Sequence, residues 1–170
     1  LIEATNGKLY GLTKWGGTVW GVLFEFDPST KIVTKLHDFT HASGTRPCGS
    51  LLEASNGKLY GMTSYGGAYY NYGALFEYDI STDTYTAKVH FQNSSNGRAP
   101  EGSLIETRPG IIYGMTTAGG ATDHGTIFEF EISTGTLTTK HHLSNNTDGR
   151  EPKADLLMAT NGTIYGLASS

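Results

Sequence analysis

Residues 51–67 read LLEASNGKLYGMTSYGG, and the chain repeats this stretch three more times. Residues 1–17 read LIEATNGKLYGLTKWGG, residues 104–120 read LIETRPGIIYGMTTAGG, and residues 156–170 begin it again as LLMATNGTIYGLASS. The likeness runs on past the double glycine. VLFEFDPST (22–30), ALFEYDIST (74–82) and TIFEFEIST (126–134) align, as do GTRPCGS, GRAPEGS and GREPKAD further along. The units are 1–50, 51–103 and 104–155, with a partial fourth at 156–170. A period of about fifty residues is the signature of a stacked repeat architecture. The units differ in length, and the differences are expected after the double glycine, where a loop absorbs them.

Each unit offers four short segments rich in aromatic and β-branched residues. In the second unit they are Ser50–Ala54, Lys58–Thr63, Ala74–Asp79 and Thr84–Phe91. Asn56-Gly57 between the first two predicts a two-residue hairpin turn, because both residues tolerate positive φ. Ser81-Thr82-Asp83 supplies turn-capping side chains between the last two. No segment carries a helical period. Four antiparallel strands per repeat predict an all-β fold of four-stranded propeller blades. One blade cannot bury both faces, so copies must stack. Alternation along LFEYD turns Phe76 and Tyr78 one way and Leu75, Glu77 and Asp79 the other. The aromatic side is the expected packing face.

Composition narrows the function classes. The 170 residues carry a formal net charge of −4, with 23 Gly and 10 Tyr. No basic run is present, which argues against nucleic acid and anionic membrane surfaces as partners. No apolar run approaches the ~20 residues of a membrane-spanning helix. The one cysteine, Cys48, permits no intrachain disulfide and sits in no catalytic motif. The chain starts at Leu1 inside a repeat, which reads as a mature or excised piece. Three full units and half of a fourth do not close a ring of the usual four to eight blades. The expectation is therefore a part of a longer array, or two copies closing a ring.

Two resemblances follow from the motifs. LYGMTSYGG followed by ALFEYDISTDTYTAK is similar to a kelch repeat, with Gly66-Gly67, Tyr78-Asp79 and Tyr85 at its marker positions. In the other units Ile32 or Val33, and Leu137, stand at the place of Tyr85. The chain more closely resembles the GloVer-type tandem repeat of secreted bacterial proteins. The residues that carry this are Gly57-Lys58-Leu59-Tyr60-Gly61-Met62-Thr63, then Gly66-Gly67, then Gly73-Ala74-Leu75-Phe76. That resemblance covers nearly the whole chain and implies an extracellular or cell-surface bacterial protein. It brings no catalytic residues with it.

Several recurring residues could carry chemistry. His37, His90 and His142 each lie ten residues before a proline. A metal ring would need them within ~2 Å of one ion; a repeated residue of the outermost strand explains the pattern without one. Glu25, Glu77 and Glu129 recur, as do Glu3, Glu53 and Glu106. A glycosidase needs one asymmetric carboxylate pair, so one identical carboxylate per unit reads instead as a solvent-facing strand residue. Neither a cofactor nor a metal is expected.

The best candidate contact surface is the loop after each double glycine, where chemistry changes while the strands repeat. Trp15 and Trp20 flank it in the first unit. Tyr65, Tyr69, Tyr70 and Tyr72 do so in the second, and His124 lies in the third. Trp20 and Tyr72 adjoin the next strand and lean towards packing. Arg46, Arg98 and Arg150 in the other long connection form a second set able to meet an anion, although solvated or locally paired loop arginines are the favoured reading. The sequence therefore points to a non-enzymatic binding or adhesion module that offers loops to a glycan or protein. A structural repeat of a surface layer or filament, and a propeller glycosidase or lyase, remain as alternatives.

Overall fold

A computed structural model describes residues 1–18, 20–69 and 71–169. The first blade is β1 (Ile2–Glu3), β2 (Leu9–Thr13), β3 (Val22–Asp27) and β4 (Ile32–Asp38). The second is β5 (Thr45–Glu53), β6 (Leu59–Tyr65), β7 (Ala74–Asp79) and β8 (Thr84–His90). The third is β9 (Ile105–Arg108), β10 (Ile111–Thr116), β11 (Thr126–Glu131) and β12 (Thr136–His142). Each is a four-stranded antiparallel sheet in sequence order. Beyond the third blade lie β13 (Arg150–Pro152), at the end of the third unit, and β14 (Leu157–Met158), β15 (Ile164–Tyr165) and β16 (Ala168–Ser169) of the fourth, paired β13 with β16 and β14 with β15. These correspond to the first two strands of a blade.

The repeated Leu-Tyr-Gly-x-Thr motif is explained residue by residue. The Tyr60 hydroxyl donates to Glu77 at 2.6 Å, Tyr10 donates to Glu25 at 2.8 Å, and Tyr113 donates to Glu129. Gly61 lies under the Phe76 ring, where a Cβ would come within 2.5 Å of Phe76 Cζ; Gly11 and Gly114 meet Phe24 and Phe128 in the same way. The threonine hydroxyl closes the far end of the hairpin. Thr13, Thr63 and Thr116 Oγ1 accept from the backbone N–H groups of Val22, Ala74 and Thr126.

Glu25, Glu77 and Glu129 are thus not solvent-facing strand residues. Each is drawn in by the tyrosine of the neighbouring strand and by a lysine: Lys8, Lys58 and Lys140 respectively. Burial pushes the Glu77 carboxyl up, but the Tyr60 and Lys58 hydrogen bonds outweigh it and hold it below the usual range.

The aromatic face packs between blades as expected, and the opposite face packs as well. Phe76 and Tyr78 pack against Tyr10, Leu23 and Phe39 of the first blade. Leu75, on the opposite face, packs with Tyr60 and Met62 against Ile112, Phe128 and Phe130 of the third. The middle blade is buried on both sides, as stacking requires.

Carboxylates tie neighbouring first strands together. Glu53 accepts from Thr5 N at 2.9 Å and Thr5 Oγ1 at 2.6 Å. Glu106 accepts from Ser55 N and Ser55 Oγ, both at 2.7 Å. At the third seam the corresponding residues are Arg108 and Met158, and a thioether offers no carboxylate. A second row of bonds does continue there: Ser50 N donates to Ser103 Oγ at 2.8 Å, and Ser103 N donates to Asp155 at 2.7 Å.

Two local expectations need correction. The Asn-Gly hairpin is longer than two residues: Ala54 O accepts from Gly57 N, and Lys58 O from Ala54 N. Of Asn56 and Gly57 only the glycine is left-handed (φ 75°). Asn56 instead uses its side chain, donating to Tyr60 Oη at 3.0 Å and accepting from Lys58 N at 3.1 Å.

The three histidines are not equivalent either. Val22 pairs with Asp38, whereas Ala74 pairs with His90 and Thr126 with His142. The connection from the fourth strand to the proline is one residue shorter in the first unit, so counting back from Pro47 lands one place early. Asp38, His90 and His142 share one task. Each accepts from a backbone N–H just past the double glycine, from Thr18, Ala68 and Ala121 respectively. His37 itself stacks on Tyr85 at 3.9 Å, and burial lowers its pKa. The length differences between units accordingly fall in both long connections, not only after the double glycine.

Candidate functional site

Two kinds of connection share one end of the blades: the loop after each double glycine, and the return from the fourth strand to the next blade. Backbone bonds lock them together. Arg46 N donates to Trp20 O at 3.2 Å, Ala99 N to Tyr72 O at 2.9 Å, and Glu151 N to His124 O at 3.1 Å. The donors each precede a proline and each has a left-handed backbone (φ 55°, 51° and 52°). A residue before proline is sterically restricted, and three non-glycine residues held alike make this a built feature of every seam. A cleft results between each pair of blades, with the same frame and different side chains.

The first cleft gathers aromatic rings around a cation. Trp15 and Tyr65 hold the same position in successive units, just before the double glycine. The Arg46 guanidinium lies 5.0 Å from the Trp15 ring centroid and 4.3 Å from that of Tyr65. Trp20 sits 6.1 Å from Trp15 and 5.6 Å from His41. Trp15 and Tyr65 remain 52% and 43% exposed. Trp20, His41, Thr45, Arg46, Tyr65 and Asn71 line a hollow of about 200 Å³.

The other clefts are furnished differently. In the second, Ala99 and Ala118 replace Arg46 and the aromatic residue before the double glycine. In the third, Glu151 and His124 stand where Arg46 and Trp20 stand in the first, within a polar hollow of about 400 Å³. There Arg98 pairs with Asp123 at 3.1 Å and also donates to Asn93 at 2.9 Å, while Lys153 lies 3.8 Å from Glu151.

Of the sequence candidates, the structure brings Trp15, Trp20 and Tyr65 together. Trp20 is half-buried and packs on the core while its ring edges the cleft. Tyr69 and Tyr72 line a separate hollow with Gln92, Asn93 and Ser94, and Tyr72 also packs on the core between the second and third blades. His124 belongs to the third cleft. Tyr70 lies outside the described residues. Arg46, named in the sequence only as one of three loop arginines, is the group around which the first cleft is organised. The arginine before Pro47, paired with aromatics on both flanking units, was the available signal.

Burial pushes the Cys48 thiol up to about 12, so it stays protonated at neutral pH. Among the described residues no group of three or more His, Cys, Asp or Glu is placed to hold a metal ion. Among them, too, no helix is long and apolar enough to cross a membrane.

Solved structures share the fold at low identity. The extracellular domain of BT4673 from B. thetaiotaomicron superposes with a TM-score of 0.64 at 18% identity, covering 96% of this chain and 19% of that one. TolB from Acinetobacter baumannii gives 0.57 at 12%, covering 94% and 34%. A puromycin-hydrolyzing peptidase of Mycobacterium tuberculosis gives 0.54 at 14%, covering 94% and 23%. The chain thus spans between about a fifth and a third of these proteins, and the likeness is one of fold. Among curated proteins no sequence relative matches. The family described as the Gloeobacter/Verrucomicrobia repeat matches residues 1–170, and the chain belongs to that family of propeller-blade repeats.

Proposed function

We propose that this repeat domain is a non-enzymatic, extracellular binding module whose loop face takes a glycan. One observation carries the reading: Trp15, Trp20 and Tyr65, drawn from two blades, surround Arg46 in an open cleft. Aromatic rings offer flat apolar faces to sugar rings, and the neighbouring Asn71 and His41 offer polar groups for hydroxyls. An extracellular place is supported by the described location of the BT4673 domain. A non-enzymatic role is supported by the carboxylates. The repeated Glu25, Glu77 and Glu129 each serve a tyrosine and a lysine of their own blade, a structural task repeated from unit to unit.

Titration of a glycan panel by calorimetry tests this. Trp15→Ala is expected to weaken the best ligand by at least about tenfold, roughly 1.4 kcal/mol, with an unchanged melting temperature. Saturable binding of proteins but of no glycan would move the reading to a protein partner. An unaltered affinity in Trp15→Ala would remove the cleft from it.

A second reading, a structural array, rests on the terminal faces. Tyr165 and Leu167 are 55% and 72% exposed, whereas their counterparts Tyr60 and Met62 are 0% and 1% exposed between blades. At the other end, Leu1 lies open near Gly11, and Glu3 occupies the place from which Glu53 clamps a preceding Thr5. Thr160 stands at the Thr5 position. A second copy set head to tail supplies complementary partners for both ends, as does the remainder of a longer chain. Light scattering over a concentration series distinguishes them. A discrete oligomer abolished by Leu167→Asp supports self-assembly, and a monomer throughout rejects it.

A further inference from the structure

We propose that the cleft between the first two blades selects a carboxylate-bearing sugar, a uronic acid unit of a polysaccharide, with Arg46 as the anion-binding group. This rests on the reading of that cleft as a glycan site. The argument begins with Arg46 itself. Its backbone is held left-handed ahead of Pro47, and its N–H is tied to Trp20 O. Its guanidinium is held over two π faces, Trp15 and Tyr65. The backbone bond and the two ring contacts place the guanidinium in the cleft before any ligand arrives, which lowers the ordering cost of binding.

The electrostatics then identify the ligand. The guanidinium carries five N–H donors in one plane, and the two rings near it offer π faces but no carboxylate to occupy those donors. Among the described residues no carboxylate forms an ion pair with Arg46, while Arg98, at the other end of the array, is neutralised by Asp123. An in-plane N–H fork matches a planar carboxylate through two parallel bonds. The aromatic surround adds a second requirement. Trp15 and Tyr65 keep 52% and 43% of their surface exposed beside the charge, apolar ring area suited to the C–H face of a pyranose. Both features together describe a sugar ring that carries its own carboxylate. An acidic peptide would satisfy the charge but gives the three rings no flat partner.

The backbone at this seam recurs at the other two, so backbone geometry alone does not make the site. Ala99 and Glu151 sit at the same left-handed position, and neither can bind an anion through its side chain. The specificity lies in the arginine and its rings.

Calorimetric titration of the 170-residue chain tests the proposal with oligogalacturonate and oligoglucuronate, each beside its methyl-esterified form, and with a sulfated neutral oligosaccharide. Binding of at least one uronate is expected, weakened about 10- to 100-fold by esterification or by Arg46→Gln. Arg46→Lys is expected to fall between, because it keeps charge but loses the fork. Near-equal affinity for the acid and ester forms, or preference for the sulfated sugar, would overturn the carboxylate assignment while leaving a glycan site in place. Binding of neutral glycans alone, sensitive to Trp15→Ala and indifferent to Arg46→Gln, would do the same. If no glycan binds, both readings fail. Circular dichroism of Arg46→Gln confirms that any loss is not one of folding.

Discussion

The first and third clefts share a backbone and differ in nearly every side chain that faces solvent. In both, a left-handed residue before proline donates to the carbonyl of the residue two places before the third strand of the preceding blade. In the first, that frame carries Arg46, Trp15, Trp20 and Tyr65. In the third it carries Glu151, His124 and the ion pair of Arg98 with Asp123. The repeat copies a frame held by strand interiors, and only the positions above the frame are free to diverge. This division is what lets one fold offer several unlike surfaces along one edge.

The comparison can be broken at the frame first. Phe76→Ala is expected to cost about 3–5 kcal/mol, because Phe76 is fully buried against Phe39 and Tyr85 of the seam between the first two blades. Phe24→Ala removes the same ring from the first blade, where the face is only partly covered, and should cost less than half as much. Chemical denaturation measures both; equal losses would show that stacking on both faces does not strengthen the middle blade.

Glu77→Ala comes next, at about 2–3 kcal/mol, since it leaves the Tyr60 hydroxyl without its acceptor. The same network sets the acid response. Glu77 is held below its ordinary value of 4.5, and Asp79 falls from 3.8 to about 2 through Ser81 and Lys58. Carboxylates with depressed values stabilise the fold above their unfolded pKa and lose that contribution as pH falls through the folded one. Unfolding followed by circular dichroism should therefore show stability lost between about pH 4 and pH 2, with a shallower slope in Glu77→Ala.

The smallest effect on stability is the most informative about the clefts. Ala99→Arg with Ala118→Trp places the furniture of the first cleft on the frame of the second, where Tyr65 and Tyr72 are already present. The fold should change by less than about 1 kcal/mol, while calorimetric stoichiometry for the ligand of the first cleft rises from one towards two. A stoichiometry that stays at one would show that the frames differ in a way their backbone bonds do not reveal.

The blade order and strand pairing could be read from the sequence, because alternation and turn residues repeat with the unit. The Tyr–Glu bond could not. Tyr60 and Glu77 lie on different strands, and only the register that sets Tyr60 opposite Glu77 brings them together. The misplaced histidine has a similar origin: a one-residue difference in a loop moves the strand register without disturbing the motif. Among the loop aromatics, Trp15 and Tyr65 were visible as exposed rings beside a double glycine. Their meeting at Arg46 was not, since it joins three segments of two blades. Tyr69 and Tyr72, adjacent in sequence to Tyr65, are carried instead into another hollow by the longer loop of the second unit.

The absent carboxylate at Met158 gives the array a direction. In a stack of repeats, stability passes from unit to unit through the seams, and two of the three seams here have a glutamate stapled to the preceding turn. The third is held by its backbone-to-Asp155 bond and by side chains such as Met115, Leu143 and Leu156. In this 170-residue chain the third seam is therefore expected to open first on heating, with its amide hydrogens exchanging soonest in a hydrogen-exchange measurement. The aromatic cleft lies at the first seam, itself stapled, with a second stapled seam between it and the third.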